Sequence, residues 1–144
     1  MKVYRLARAP FAALDGEGAR RYGGRWNSPG RPLVYAAASP SLAVLEILVH
    51  LDLPPELVPS DYRLLTIEVP DALPMAHLEA VPADPAACRA AGDAFLQDGG
   101  FAALSAPSVV VPQERNLLIN PAHPSAASVR TVRNEPFAID ARLF

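Results

Sequence analysis

The chain has 144 residues, 51% of them hydrophobic and 19% charged, with a formal net charge of −2 at pH 7. That length fits one domain, residues 1–144, with a real core and leaves no room for two ordinary ones. The composition excludes a disordered chain, and the charge excludes a general nucleic-acid binder, which carries a basic balance.

The N-terminal "MKVYRLARAP" has no apolar core of signal-peptide length. Within it "KVYRLAR" (2–8) alternates as a strand does and places Arg5 mid-strand. "GEGARRYGGRWNSPGRP" (16–32) is glycine-punctuated and reads as a loop. Arg20, Arg21, Arg25 and Arg31 fall inside it, and arginine offers flat forks of donors for phosphate or carboxylate oxygens. "PLVYAAA" (32–38) reads as a short buried strand, with Leu33, Tyr35 and Ala37 on one face. Ser39 or Ser41 can cap the next helix, with Pro40 in its first turn, and the helix should run to about Leu51. Prolines 54, 55 and 59 then prevent continuation.

"YRLLTIEV" (62–69) is the clearest strand, and 70–85 reads as proline-rich connection. Asp84-Pro85 starts a second helix that Gly99-Gly100 ends. It carries Cys88, the only cysteine; a lone cysteine excludes an internal disulfide and fits a reducing, cytoplasmic setting. "SVVVP" (108–112), "NLLIN" (116–120), "VRTVR" (129–133) and "FAIDARL" (137–143) read as further short strands. Sixteen prolines are about twice the usual share of roughly 5%, which suits short strands and fixed loops. The expected class is α+β, with two main helices.

The run "SPSLAVLEILVHL" (39–51) poses the chemical question. Its apolar stretch is broken by Glu46 and is far shorter than the roughly 20 residues that cross a bilayer. On a helix Glu46 is flanked by Leu42, Ala43, Val49 and His50, so it lies on an apolar face. An unpaired carboxylate is costly to bury, so either a cation neutralises it or it faces a cleft. The chain order of arginine loop, strand with Tyr35 and helix with Glu46 can bring all three to one cleft. A carboxylate there can stabilise a sugar oxocarbenium ion or orient its acceptor. An arginine can clamp a pyrophosphate, and a tyrosine ring can stack on a heterocycle. These parts suit cleavage of the nicotinamide–ribose bond of NAD, although another glycosidic or phosphate-bearing ligand would suit nearly as well. The three histidines are scattered and form no cluster with Cys88, so no metal is expected.

"YRLAR", "GGRWNSPGRPLVYAAASPSLAVLEILVHL" and "PSVVVPQERNLLINPAHP", in that order along nearly the whole chain, resemble the RES domain, the toxin half of Xre–RES toxin–antitoxin modules. The arginine, glutamate and serine that name the family match Arg25, Glu46 and Ser108, and Tyr35 matches its usual tyrosine. One departure is "GDAF" in the second helix, where Phe95 follows a "GD" that many relatives continue with tryptophan.

The resemblance implies a small ADP-ribosyltransferase-like fold: short mixed strands in a central split sheet with flanking helices. It also implies a toxin that depletes NAD by hydrolysis or phosphorolysis, with NAD as substrate and no further cofactor. The alternatives are an ADP-ribosyltransferase acting on a protein, or a non-catalytic nucleotide- or partner-binding domain. The implied partners are a helix-turn-helix Xre-type antitoxin that blocks the cleft, and inorganic phosphate. Arg25, Tyr35 and Glu46 are then the catalytic candidates. Arg25 would bind the pyrophosphate or the adjoining ribose, while Arg5 either reaches the ligand or pairs with Glu46. Ser108, at a strand end, takes a binding role, because no histidine or acid at a recognisable spacing activates it. Asn116 hydrogen-bonds the nicotinamide or its ribose, or caps a turn. Trp26 packs behind Arg25.

Overall fold

The computed structural model describes residues 1–144. Seven strands form one sheet: β1 (Lys2–Arg8), β2 (Val34–Ala37), β3 (Tyr62–Glu68), β4 (Met75–His77), β5 (Ala103–Pro107), β6 (Arg115–Ile119) and β7 (Arg130–Pro136). Their spatial order is β4-β5-β6-β2-β1-β3-β7. Only β4 and β5 run parallel; every other neighbouring pair is antiparallel. Three α-helices accompany the sheet: α1 (Glu17–Tyr22), α2 (Pro40–Leu48) and α3 (Pro85–Asp98). None is long and apolar enough to cross a membrane.

The sheet is split where it matters for the site. β1 pairs with β3 along its full length, from Lys2↔Glu68 to Arg8↔Tyr62. With β2 it shares a single register position, Tyr4↔Ala37. The two halves therefore diverge from that point and leave a gap between β1 and β2.

Alternation along the strands sorts the core onto two faces. On β6, Leu117 and Ile119 join Val3, Val34, Leu65 and Ile67 in one apolar cluster. Leu118 points the other way, into a cluster with Trp26, Leu33, Cys88 and Leu104. A third cluster gathers Leu42 and Ala43 of α2 with Leu6, Ala37 and Tyr62. Because Tyr35 and Ala37 share a face of β2, the second and third clusters lie on the same side of the sheet.

Local signals set both main helices. The Ser39 hydroxyl accepts from Leu42 N at 3.1 Å and Pro40 sits in the first turn, so Ser39 rather than Ser41 is the cap of α2. The helix stops at Leu48, a turn before the expected Leu51. Asp84 caps α3 through Ala87 N at 2.8 Å, and Gly99 ends it.

Four expectations are corrected. "SVVVP" is no strand: the Ser108 hydroxyl accepts from Val110 N and Val111 N at 3.1 and 3.0 Å, which turns the chain. The strand precedes it, at Ala103–Pro107. "FAIDARL" does not continue the sheet; it ends in a short 3-10 turn where Asp140 accepts from Arg142 N. The glycine-rich 16–32 stretch contains the short helix α1, where Glu17 accepts from both Arg20 and Arg21. Likewise the 70–85 connection contributes β4.

Candidate active site

Glu46 projects from the second turn of α2, and two partners outside the helix hold it. Its Oε1 accepts from Ser108 Oγ at 2.7 Å and from Asn116 Nδ2 at 2.8 Å. Both donors come from far along the chain, one just past β5 and one on β6. Ser108 is itself fixed, because its hydroxyl oxygen accepts from the two valine amides beyond it. It is 1% exposed and supports Glu46 from behind without lining the cleft. No hydrogen bond reaches Oε2. One carboxylate oxygen is thus clamped and the other is available.

The "GGRWN" segment contributes another part of the cleft wall. Gly24 and Asn27 close a tight turn through Gly24 N→Asn27 O at 3.0 Å, with Arg25 and Trp26 at its tip. A Cβ on Gly24 would lie 2.6 Å from the Tyr35 hydroxyl, so a larger residue there would displace the tyrosine. Trp26 is 2% exposed and packs under the turn as expected. Arg20 and Arg21 are engaged by Glu17, whereas Arg25 lines the cleft and forms no ion pair.

Asn27 is the residue that sequence reasoning passed over. Fully buried, it donates from Nδ2 to the carbonyls of Ala19, Ser28 and Arg31, at 2.9, 3.1 and 3.2 Å. Its Oδ1 accepts from the Tyr35 hydroxyl at 2.6 Å, and that hydroxyl in turn accepts from Trp26 N at 2.9 Å. Burial pushes the Tyr35 phenol well above its ordinary range, against the opposing pull of Arg5 and Arg25. Tyr35 therefore stays protonated as the donor to Asn27, with its ring against the cleft. The available signal was the place of Asn27 inside the quoted motif.

Helix α3 locks this wall in place. Asp93 accepts from Ser28 N at 2.9 Å and from Ser28 Oγ at 2.6 Å. A side chain at Gly92 would overlap the Trp26 carbonyl. The "GD" pair thus lets the helix approach the arginine turn closely and then fastens it.

Arg5 sits at the sheet split. Its NH1 donates to the Tyr35 carbonyl at 3.0 Å, bridging the gap where the ladder between β1 and β2 has ended. It forms no ion pair with Glu46; Asp15 is the acid that favours its charge, and burial lowers its pKa more than Asp15 raises it. Arg5 Nε and Asn116 Oδ1 are buried without any partner.

These walls enclose a cleft of about 360 Å³ lined by Arg5, Arg25, Tyr35, Glu46 and Asn116, among others. Phe11, Tyr22, Ile47 and His50 also line it. A smaller recess of about 70 Å³ shares Arg5, Tyr35, Glu46 and Asn116 with the cleft. Of the six residues singled out in the sequence, five line the cleft and Ser108 lies behind it. The cleft volume is in the range of small-ligand sites, roughly 300–1,000 Å³. Chemically the cleft offers a carboxylate held at one oxygen, a guanidinium in no ion pair and a tyrosine ring.

Comparison with known proteins agrees with this picture. The family model described as "RES domain" matches residues 2–140. A Pseudomonas putida protein named Toxin Res is 45% identical over 138 residues, covering 93% of this chain and 94% of that one. The Prs ADP-ribosylating toxin of a Sphingobium species is 40% identical over 140 residues, 90% of this chain and 86% of that one. The NAD(+) phosphorylase MbcT of Mycobacterium tuberculosis is 40% identical over 73 residues, 47% of this chain and 39% of that one. The solved MbcT–MbcA toxin–antitoxin complex superposes with a TM-score of 0.76 at 25% identity, over 95% of this chain and 84% of the matched one. With the model spanning all but the chain ends and close relatives matched along nearly their full length, this protein belongs to the RES domain family.

Proposed function

We propose that this protein is the toxin of a toxin–antitoxin pair and that it degrades NAD by breaking the bond between nicotinamide and ribose. The observation that carries the reading is the half-clamped Glu46 carboxylate, facing a cleft that also presents Arg25 and Tyr35. As the glycosidic bond lengthens, its electron pair leaves with the nicotinamide ring and positive charge grows on the ribose. A carboxylate already oriented by Ser108 and Asn116 meets that charge with no reorganisation. The free Oε2 can also accept a proton from an incoming water, or orient a phosphate, as the new bond to the anomeric carbon forms. Arg25 suits the pyrophosphate or the neighbouring ribose.

Names among the relatives support the same chemistry, since one is an NAD(+) phosphorylase and another an ADP-ribosylating toxin. The Sphingobium name also favours a second reading, in which a protein side chain accepts the ADP-ribosyl group. The complex of MbcT with MbcA supports an antitoxin as partner. For this chain we take that partner to be a helix-turn-helix protein of the Xre type that inserts a segment into the cleft. Purified protein incubated with NAD, with and without phosphate, tests the reading by product mass. Free ADP-ribose identifies hydrolysis, ADP-ribose 1″-phosphate identifies phosphorolysis, and label on a protein identifies transfer. Undiminished NAD in every arm would overturn it.

A further inference from the structure

Two buried side-chain polar atoms in this protein lack any hydrogen-bond partner: Arg5 Nε and Asn116 Oδ1. Both residues line the same 70 Å³ recess, at the gap where β1 and β2 part. Leaving a buried donor or acceptor unpaired is unfavourable, so each such atom calls for a partner that the protein itself does not supply. Here one orphan is a donor, the other an acceptor, and they share one recess.

The identity of the free atoms is settled by chemistry. Asn116 must present Nδ2 to Glu46, because an ionised carboxylate only accepts, and so Oδ1 is the atom left over. Arg5 donates NH1 to the Tyr35 carbonyl, which leaves Nε–H as a second donor on the same rigid fork. A group that satisfies both offers an acceptor to Arg5 Nε and a donor to Asn116 Oδ1. A primary carboxamide does so. The recess has room for about two waters, at roughly 30 Å³ each, which suits the three heavy atoms of a carboxamide. The attached ring would remain in the larger cleft beside Glu46.

We propose that this recess recognises the carboxamide of nicotinamide, with Asn116 Oδ1 accepting from its NH2 and Arg5 Nε donating to its carbonyl oxygen. The inference rests on the NAD-cleaving reading and assigns its leaving-group specificity to two atoms. It also gives Asn116 two tasks, one amide atom holding Glu46 and the other reading the substrate. Cleavage can then proceed only when the ring is seated with the ribose anomeric carbon toward the carboxylate.

The test compares NAD with its 3-acetylpyridine analogue, in which a methyl group replaces NH2 while the carbonyl and overall shape are kept. The intact protein should cleave the analogue with kcat/KM lower by about 10- to 100-fold, because the analogue leaves Asn116 Oδ1 unpaired. In Asn116→Ala both rates fall as Glu46 loses a support, but the ratio between the two substrates should drop toward one. That ratio is an internal control, since misfolding would lower both rates alike. Product inhibition of the intact protein gives a second measure that needs no variant: nicotinamide should inhibit more strongly than 3-acetylpyridine. Equal cleavage of NAD and analogue by the intact protein, or a preference that Asn116→Ala leaves unchanged, overturns the carboxamide assignment while the NAD reading stands. Failure to cleave NAD at all overturns both.

Discussion

Replacing Glu46 by glutamine isolates the charge from the geometry. Glutamine has the same shape, and its Oε1 can still accept from Ser108 Oγ and Asn116 Nδ2, the two bonds of 2.7 and 2.8 Å that fix the native side chain. What disappears is the negative charge that the proposed reaction sets against the ribose. A unit charge about 4 Å from a developing cation is worth about 4 kcal/mol at an effective dielectric of about 20. Since each 1.36 kcal/mol is tenfold in rate, kcat should fall by about 1,000-fold. The folded state loses less. Each retained bond weakens from a charge-assisted to a neutral one, about 1 kcal/mol apiece, and lifting the desolvation of a charge offsets part of that sum. At roughly 2–4 °C per kcal/mol for a chain of this size, Tm should drop by less than about 8 °C. The assay follows NAD loss by mass, with a thermal melt of the same sample. Glu46→Gln that consumes NAD at the parental rate, or that loses activity only by unfolding, would refute the role given to this carboxylate.

Ser108→Ala removes one donor to Glu46 and the shared acceptor of Val110 N and Val111 N. It should lower stability by about 1–3 kcal/mol and kcat by about tenfold or more, with KM little changed; a rise in KM at constant kcat would instead place Ser108 against the substrate. Gly92→Ala would drive a methyl group into the Trp26 carbonyl. It should cost about 1–3 kcal/mol or more by overpacking and should also lower activity through the displaced Arg25 turn; a melt and an NAD assay at the parental level would show that α3 does not brace the turn. Hydrogen bonds from Arg20 and Arg21 hold the Glu17 carboxyl down at about 2. Because the folded pKa is depressed, its support for α1 is complete above the ordinary value of 4.5 and fades as pH falls through about 2. Titration of Glu17 by NMR checks this, and a midpoint in the ordinary carboxylate range would contradict the two ion pairs.

Local chemistry was enough to read much of the fold from the sequence. Ser39-Pro40 and Asp84-Pro85 announced helix starts, Gly99 a helix end, and alternating apolar residues marked β1, β3 and β6, because caps and pleats act over a few neighbouring positions. The same local logic misread "SVVVP". Three valines favour a strand, but the Ser108 hydroxyl captures two amides that a ladder would need, and the strand lies in the alanine-rich segment before it. Alanine carries little periodic signal, so only pairing with β4 and β6 reveals β5.

The site divides along the same line. The residue types were legible, since a glutamate in an apolar helix and an arginine between glycines stand out in any window. Their partners were not. Ser108 and Asn116 lie 62 and 70 positions from Glu46 and meet it only because β5 and β6 stack beside β2. Arg5 was legible as a candidate for the ligand or for Glu46, but its partner in the fold, the Tyr35 carbonyl, follows only from the end of the β1–β2 ladder at Tyr4–Ala37. Sequence thus specified which side chains are candidates for the chemistry, through local composition and order. Tertiary structure decided which atoms are held and which are left open, because hydrogen bonds between distant segments are made only when the sheet brings those segments together.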